Sequence, residues 1–258
     1  MTNVHPSAIV SSKAQIGNNV TISPLAIIQD DVQIGDDCFI GPNAVIYDGA
    51  RLGKNIKVYQ SASVAHVPQD LKFKNEPSLC FIGDNTTIHE FTTIHRGTIE
   101  TGFTRIGNNV LLMAYTHVAH DCIIGNNCIL ANVVQLGGHT HIEDWVIIGG
   151  ASVVHQFSKV GRHCMIGGGY RVVQDVPPYV LVAGEPLKYE GLNVIGLRRR
   201  GFKTEQVETI KKIYSYIYSK NYNISQAKEK IREEFGENEF AVEIIGFIEK
   251  CKRGLSGK

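Results

Sequence analysis

The sequence lacks both an excess of one charge and any hydrophobic run long enough to cross a membrane. Its 258 residues carry 26 Lys and Arg against 25 Asp and Glu, a net charge of +1. This balance excludes nucleic-acid binding by bulk charge and a polybasic membrane anchor. No segment approaches the roughly twenty apolar residues of a membrane span, and the opening MTNVHPSAIV has no secretory pattern. We therefore expect a soluble, cytoplasmic protein that neither spans a membrane nor binds nucleic acid.

The sequence also has no pair of cysteines with C-x-x-C spacing. Such pairs are typical of metal sites and redox motifs, and intracellular proteins seldom contain disulfides. We expect free thiols, mostly buried, at all six positions, which are Cys38, Cys80, Cys122, Cys128, Cys164 and Cys251.

What the sequence does contain is a large aliphatic residue at every sixth position. Helices repeat at 3.6 residues and strands at two, so a period of six indicates a short strand, a corner and another short strand. This is the hexapeptide form of a parallel β-helix, in which three hexads make one coil of eighteen residues. The uninterrupted part of the repeat consists of Ile106, Leu112, Val118, Ile124, Leu130, Leu136, Ile142, Ile148, Val154, Val160, Ile166 and Val172.

The repeat divides the chain into two predicted domains. It begins at Val4 and predicts a β-helix over residues 1–186, with corners rich in asparagine and glycine, which tolerate a left-handed backbone. Insertions near 65–81 and 97–105 interrupt the repeat and leave at one corner, so we expect both loops to carry function. Residues 187–258 predict a helical domain, with helices opened by Thr204, Ser225 and Asn238.

Residues eighteen apart stack in such a coil, and this rule gathers histidines on one edge. His120, Gly138 and Gln156 form one column. Asp121 and His139 lie in the next column, together with Phe157, and His117 and His155 lie near the same corner. This clustering of imidazoles beside a carboxylate predicts a functional site.

The His120–Asp121 step suits acyl transfer to a hydroxyl. A histidine that removes a proton from an alcohol needs a pKa near 7, and a carboxylate orients the ring. Adjacent side chains can meet in this way only at a corner, because in a strand they point to opposite faces. Gly138, one coil away, can offer an unobstructed backbone N–H to an oxyanion. We therefore predict His120 as general base, Asp121 as its orienting partner and Gly138 as oxyanion donor.

Other interpretations of the same residues remain open. His117, His120 and His139 could bind zinc, although no further ligand is obvious and Asp121 and Gly138 would then have no role. The glycines could serve corners alone, and the histidines could be surface residues. We predict a site without metal.

A set of short motifs is distributed along the whole chain. They are PQDLKFK at 68–74, TIHRGT at 93–98, HVAHDC at 117–122, LGGH at 136–139, IIGG at 147–150, VHQF at 154–157, QDVPPYV at 174–180 and GLNVIGLRRRGF at 191–202. Together these motifs resemble one family, the UDP-N-acetylglucosamine O-acyltransferases of lipid A biosynthesis.

This resemblance implies a left-handed parallel β-helix followed by C-terminal helices, assembled as a homotrimer with active sites between subunits. It implies transfer of an (R)-3-hydroxyacyl chain from acyl carrier protein to the glucosamine 3-hydroxyl of UDP-N-acetylglucosamine. The acyl chain is carried on the phosphopantetheine of the carrier protein, so no other cofactor is expected.

The resemblance also assigns roles to single residues. His120, Asp121 and Gly138 match the catalytic positions described above. Gly168 matches the position that limits acyl-chain length. The remaining matches bind substrate: His117, His139, His155 and Gln156 line the sugar and the acyl donor, Asp70 and Lys72 bind sugar from a neighbouring subunit, and Asn193 and Arg199 bind nucleotide.

One position departs from the family pattern. Ile195 stands where the family commonly has an acidic residue two positions after the asparagine. The loss of this carboxylate could weaken nucleotide contacts or reflect a 3-amino sugar as acceptor. Basic residues near Ile195 could bind an acidic carrier protein, or they could simply form the solvated end of a helix. These residues are Arg198, Arg199, Arg200 and Lys203.

Three further classes stay open from the sequence. A hexapeptide acyltransferase could use a coenzyme A thioester or acylate nitrogen, although the related enzyme of the next acylation carries an extra N-terminal domain. A γ-type carbonic anhydrase would contain metal. A non-catalytic solenoid would turn over no thioester.

Overall fold

A computed structural model describes residues 1–258 as a parallel β-helix followed by four helices. Each coil contributes one short strand to each of three sheets, and the strands of a sheet pair in parallel. Val118 pairs with Leu136, eighteen residues on, and Leu136 pairs with Val154. The six-residue period, the eighteen-residue stacking and the parallel β-helix predicted from the sequence are confirmed.

As far as Arg171–Val172, the strands follow one another around the three sheets in strict rotation, and the last two strands both join the first sheet. The strands of the first sheet are Asn3–Val4, Thr21–Ile22, Phe39–Ile40, Lys57–Val58, Thr87–Ile88, Leu111–Leu112, Ile129–Leu130, Ile147–Ile148, Met165–Ile166, Val180–Ala183 and Lys188–Leu192. Those of the second are Ile9–Val10, Ile27–Ile28, Val45–Ile46, Ser63–His66, Thr93–His95, His117–Val118, Gln135–Leu136, Val153–Val154 and Arg171–Val172. Those of the third are Gln15–Ile16, Gln33–Ile34, Ala50–Leu52, Leu79–Ile82, Phe103–Ile106, Ile123–Ile124, His141–Ile142 and Lys159–Val160.

Three kinds of corner join these sheets. We call the turns from the first sheet to the second the glycine corner, which contains Gly168. The turns from the second to the third form the histidine corner, which contains His120. The turns from the third back to the first form the asparagine corner, where Asn19, Asn55 and Asn127 have φ between 53° and 58°. These asparagines confirm the predicted left-handed corners.

The repeat residues point inward and fill the coil. Leu112, Leu130 and Val154 are each 0% exposed and belong to one continuous apolar core. Because successive coils stack the same side chains, each aliphatic residue packs against its equivalents above and below. Truncating one of them would leave a cavity that the rigid coil cannot close, at a cost of about 2–5 kcal/mol.

The β-helix ends in an antiparallel hairpin rather than at a simple boundary. Val180–Ala183 pairs with Met165–Ile166 on one side and with Lys188–Leu192, in the opposite direction, on the other. The domain boundary predicted after residue 186 falls in the turn of this hairpin, so sheet structure extends to Leu192. The six-residue period carries no signal for this reversal.

Four helices follow, and three of them begin near the positions predicted from the sequence. Helix α1 (Val194–Arg199) is short and is capped by the Asn193 side chain. The other three are α2 (Thr204–Ile217), α3 (Ile224–Phe235) and α4 (Glu239–Glu249). None of the four is both long enough and apolar enough to cross a bilayer.

The predicted starts of these helices need two small corrections. Helix α2 is capped at Lys203, so Thr204 is its first helical residue, and α3 is capped by Asn223 rather than opened by Ser225. Asn223 accepts a hydrogen bond from the backbone of the third helical residue, whereas a serine two positions later is already inside the first turn. The start of α4 at Asn238 and the end of α3 at Gly236 are confirmed.

Candidate active site

Both insertions lie at the histidine corner. We call residues 67–78, between Ser63–His66 and Leu79–Ile82, the first loop. Residues 96–102, between Thr93–His95 and Phe103–Ile106, form the second loop. Both loops therefore leave the second sheet and return to the third. This confirms the prediction that the insertions share the corner that bears the histidines.

His120 and Asp121 form a hydrogen-bonded pair at this corner. The distance from His120 Nδ1 to Asp121 Oδ2 is 2.7 Å. Asp121 has φ of +60°, and this left-handed turn lets two adjacent side chains face each other. The carboxylate is fully buried, whereas 15% of the His120 side chain is exposed. Since Nδ1 is engaged by Asp121, Nε2 is the ring nitrogen left to meet a substrate.

The second loop encloses the Asp121 carboxylate with hydrogen-bond donors. Thr98 donates its backbone N–H to Oδ1 at 2.9 Å and its hydroxyl to Oδ2 at 2.7 Å. The Thr101 hydroxyl is in short hydrogen-bond contact with Oδ1. Neither threonine was predicted as a site residue, because a sequence period cannot place side chains within an insertion. The position of the loop was the available signal.

Gly138 lies directly against the His120 ring. A Cβ at this position would stand 2.8 Å from His120 Cε1 and 2.9 Å from Nε2, so only glycine leaves the imidazole its place. The backbone N–H of Gly138 donates to no group of the protein, whereas Gly137 and His139 on either side both donate to backbone carbonyls. An unused N–H beside the free nitrogen of a histidine has the geometry of an oxyanion donor.

A line of imidazoles extends from this pair along the corner. His139 packs edge-on to His120 with ring centroids 5.3 Å apart, and its Nε2 lies 3.4 Å from Glu100 Oε2. His117 binds the Thr93 hydroxyl through Nδ1 at 2.7 Å and packs edge-on to His95 at 4.8 Å. His95 is 3% exposed and was not predicted as a site residue. The structure thus brings together the predicted His117, His120, Asp121, Gly138 and His139.

Hydrogen bonding and burial separate the pKa values of these groups. The bond to Asp121 raises the pKa of His120 above its ordinary value, against the opposing effect of burial. Burial would raise the pKa of Asp121, but hydrogen bonds from His120, Thr101 and Thr98 outweigh it and hold the pKa well below its usual range. Burial lowers the pKa of His95 to about 3, so this ring is neutral. The site therefore holds one charged acid beside a histidine whose pKa lies above its ordinary value.

The other predicted residues of this corner lie at its rim. His155 and Gln156 are exposed one coil beyond Gly138, and His155 Nδ1 lies 3.1 Å from the Gln156 carbonyl oxygen. In the first loop, Asp70 accepts the Lys72 backbone N–H at 2.9 Å, and the Lys72 side chain is exposed. The charge of Asp70 contributes to the raised pKa of His120.

Three predicted residues lie at other corners of the same chain. Gly168 is exposed at the glycine corner, one third of a coil from the histidines. Asn193 donates to the His163 carbonyl oxygen at the asparagine corner, and Arg199 is exposed on α1 beyond it. One chain therefore does not bring Gly168, Asn193 or Arg199 to His120.

The geometry bears on the zinc interpretation as well. His120, Asp121 and His139 offer ligand atoms within 4.8 Å of one another, and His117 is outside this group. Both oxygens of Asp121 already accept hydrogen bonds from the protein. A carboxylate whose lone pairs face protein donors is arranged to hold a histidine rather than a cation.

Known proteins resemble this chain along its whole length. Profiles described as the bacterial transferase hexapeptide (six repeats) match residues 13–48, 31–66 and 103–138, and a profile described as UDP-N-acetylglucosamine O-acyltransferase, domain 2, matches residues 175–256. The acyl-(acyl-carrier-protein)–UDP-N-acetylglucosamine O-acyltransferase of Burkholderia lata is 43% identical over 99% of both chains.

Solved structures agree with these profiles. A UDP-N-acetylglucosamine acyltransferase from Bacteroides fragilis superposes with a TM-score of 0.96 at 43% identity, covering 98% of this chain and 99% of that one. The Arabidopsis enzyme superposes with a TM-score of 0.86 at 32% identity, covering 99% of this chain and 100% of that one. A chain that shares this fold, this identity and this full length with acyltransferases of one kind belongs to the UDP-N-acetylglucosamine O-acyltransferase family.

Proposed function

We propose that this acyltransferase moves an (R)-3-hydroxyacyl chain from acyl carrier protein to the 3-hydroxyl of UDP-N-acetylglucosamine, the first step of lipid A biosynthesis. The observation that carries this proposal is the His120–Asp121 pair, with its free Nε2 beside the unused N–H of Gly138. A base and an oxyanion donor on adjacent coils are the two groups that acyl transfer to an alcohol requires.

The reaction follows from these two groups. His120 Nε2 removes the proton of the sugar 3-hydroxyl as the oxygen attacks the thioester carbonyl carbon. The negative charge that develops on the carbonyl oxygen is stabilised by the Gly138 N–H. The tetrahedral intermediate then expels the phosphopantetheine sulfur, which takes up the proton held by His120. Asp121 stays ionised throughout and stabilises the imidazolium.

The acceptor and donor sites need more than one subunit. Gly168 and the pair Asn193 and Arg199 lie at corners other than the histidine corner, so a second copy has to supply them. A cyclic homotrimer packed side by side places the histidine corner of each chain against its neighbour. In that assembly the sugar and the acyl donor are bound by His117, His139, His155 and Gln156, and the sugar also by Asp70 and Lys72 of a neighbouring subunit. Asn193 and Arg199 bind the nucleotide, and Gly168 leaves room for the acyl chain.

The acyl donor brings its own chemistry, so we propose no metal and no further cofactor. The exposed Arg198 and Arg199, with Lys203 beyond them, offer a basic surface to the acidic carrier protein. None of the six cysteines forms a disulfide. Free thiols suit the reducing cytoplasm, where we place the reaction.

A second candidate acceptor is the 3-amino analogue of the sugar. The observation in its favour is Ile195, which is 69% exposed at the start of α1 where the family commonly has a carboxylate. An amine acceptor would lose its proton to His120 by the same geometry. The product would then be an amide rather than an ester.

One assay tests both acceptors. Purified protein is given 3-hydroxyacyl carrier proteins of several chain lengths with either sugar, thioester release is followed, and products are analysed by mass. We expect ester formation with UDP-N-acetylglucosamine and its loss in His120→Ala with the oligomer unchanged. Turnover with the amino sugar alone would establish the second candidate. Full activity of His120→Ala would overturn the assignment of the base.

A further inference from the structure

The second loop makes most of the contacts that hold the catalytic carboxylate. From the solenoid, the Asp121 carboxylate receives one hydrogen bond, from His120, while the Asp121 backbone N–H donates to the Thr104 hydroxyl at 2.8 Å. The other donors to the carboxylate oxygens are Thr98 and Thr101, both in the second loop. Asp121 is 3% exposed, so water does not compete for these oxygens.

The two threonines divide the carboxylate between them. Both Thr98 and Thr101 bind Oδ1, through a backbone N–H and a hydroxyl respectively, while the Thr98 hydroxyl shares Oδ2 with His120. Two contacts on one oxygen and two on the other fix the plane of the carboxylate. That plane in turn fixes the direction of the bond to His120 Nδ1 and so the direction in which Nε2 points.

We propose that Thr98 and Thr101 are positioning residues for acyl transfer, because the second loop holds Asp121 in the one orientation that aims His120 at the acceptor hydroxyl. This inference rests on the proposed role of His120 as the base. It gives the second loop a specific function, the orientation of Asp121, which a simple turn at the corner would not provide. It also explains why the catalytic pair lies on the coil next to the one from which this loop departs.

The hydroxyls also set how strongly Asp121 attracts the His120 proton. A donor to a carboxylate neutralises part of its charge, so removing one leaves more charge for the bond to Nδ1. The pKa of His120 would then rise. The other groups that face or approach His120 are Asp70 and Glu100, which add negative charge, and His95, His117 and His139. None of these five side chains binds the Thr101 hydroxyl, so Thr101→Val leaves them in place.

Thr101 provides the clearer test, because it is exposed and its replacement leaves the core intact. Thr101→Val removes the hydroxyl at nearly constant volume, and Thr101→Ser restores it. Thr98→Val does the same at a buried position. Thr86→Val is its matched control, since the Thr86 hydroxyl is also buried and donates to the Gly107 carbonyl oxygen at 3.0 Å, away from the histidine corner.

We expect kcat of Thr101→Val to fall about tenfold, the typical effect of losing one hydrogen bond to a charged group, with KM for the sugar nucleotide nearly unchanged. Thr101→Ser should recover most of the rate and Thr86→Val should retain all of it. The second readout is the pKa of His120 from an NMR titration of labelled histidine, which should move upward in Thr101→Val.

The titration separates this inference from the proposed function. An upward shift in a protein that turns over no UDP-sugar would support the positioning of Asp121 and contradict the reaction. An unchanged or lowered pKa of His120 in Thr101→Val, with kcat unaffected, would overturn the positioning role. A fall in kcat that Thr101→Ser fails to recover would overturn it equally, because the effect would then belong to loop shape rather than to the hydroxyl.

Discussion

Gly138→Ala tests most directly how the site is built. The added methyl group would stand 2.8 Å and 2.9 Å from two atoms of the His120 ring, closer than carbon contacts of roughly 3.5 Å or more allow. Gly138 does not have a positive φ, so alanine itself fits the backbone. The ring must therefore move, by roughly 0.6 Å or more, to restore an ordinary contact.

The cost of that movement can be estimated from the bonds of the ring. His120 Nδ1 is 2.7 Å from Asp121 Oδ2, and the carboxylate cannot follow the ring because Thr98 and Thr101 hold it. A bond lengthened past about 3.2 Å loses most of its strength. Misplacing a reacting group by about 1 Å can cost about 100-fold in rate, so we expect kcat of Gly138→Ala to fall by roughly this factor.

The assay is thioester release under saturating sugar nucleotide, accompanied by an NMR titration of His120. The weakened bond to Asp121 should lower the pKa of His120 toward its ordinary value, and the thermal midpoint should change little. Gly246→Ala is the control, since a Cβ there meets nothing within 4 Å. Wild-type kcat in Gly138→Ala, or a lost rate with His120 still bonded to Asp121 in a crystal structure of the variant, would refute the packing argument.

Three further predictions concern pH, stability and chain length. Because Asp121 raises the pKa of His120, the acid limb of the pH profile of kcat/KM should have an apparent pKa above the ordinary histidine value of about 6.5. An apparent pKa at or below that value would contradict the pairing of His120 with Asp121. The pKa of His95 is about 3 when folded and about 6.5 when unfolded, so its contribution to stability is complete above the unfolded value. As the pH falls from the unfolded to the folded value, stability decreases by about 1.4 kcal/mol per pH unit. In urea unfolding, the stability of His95→Gln should decrease less steeply with falling pH than that of the wild-type protein. An identical pH dependence of stability in the two proteins would contradict the lowered pKa of His95. Replacing Gly168 with Met should shift the preferred acyl chain to a shorter length in competition assays, whereas an unchanged length profile would remove this residue from the chain-length site.

The six-residue period was sufficient to predict the coil, the stacking and the contact between His120 and Asp121. A period fixes which residues point inward and which residues lie one coil apart, so His120, Asp121 and Gly138 could be brought together from the sequence. It could also place both insertions at the histidine corner. It could not place Thr98 or Thr101, because side-chain positions in a loop depend on contacts that no repeat encodes.

The sequence did not predict several other features, each for a different reason. His95 was missed because it lies next to an insertion, where the count of eighteen no longer applies. The hairpin from Val180 to Leu192 was missed because antiparallel pairing replaces the parallel repeat. Several left-handed corner positions hold Trp145, Val133 and Phe157 rather than the expected asparagine. The stacked coils impose the turn there, so tertiary structure overrides the local preference.

That hairpin has a consequence for how copies of the chain can meet. A stack of parallel coils has an open edge at each end, and open edges invite end-to-end growth into fibres. Here the last strand, Lys188–Leu192, is antiparallel to its neighbour Val180–Ala183. The helices cover the last coil, and the Tyr214 hydroxyl donates to the Pro178 carbonyl oxygen at 2.6 Å. The first coil is uncovered, and Ile9 is 65% exposed. A filament of stacked chains needs two complementary open ends, so a covered last coil opposes head-to-tail growth.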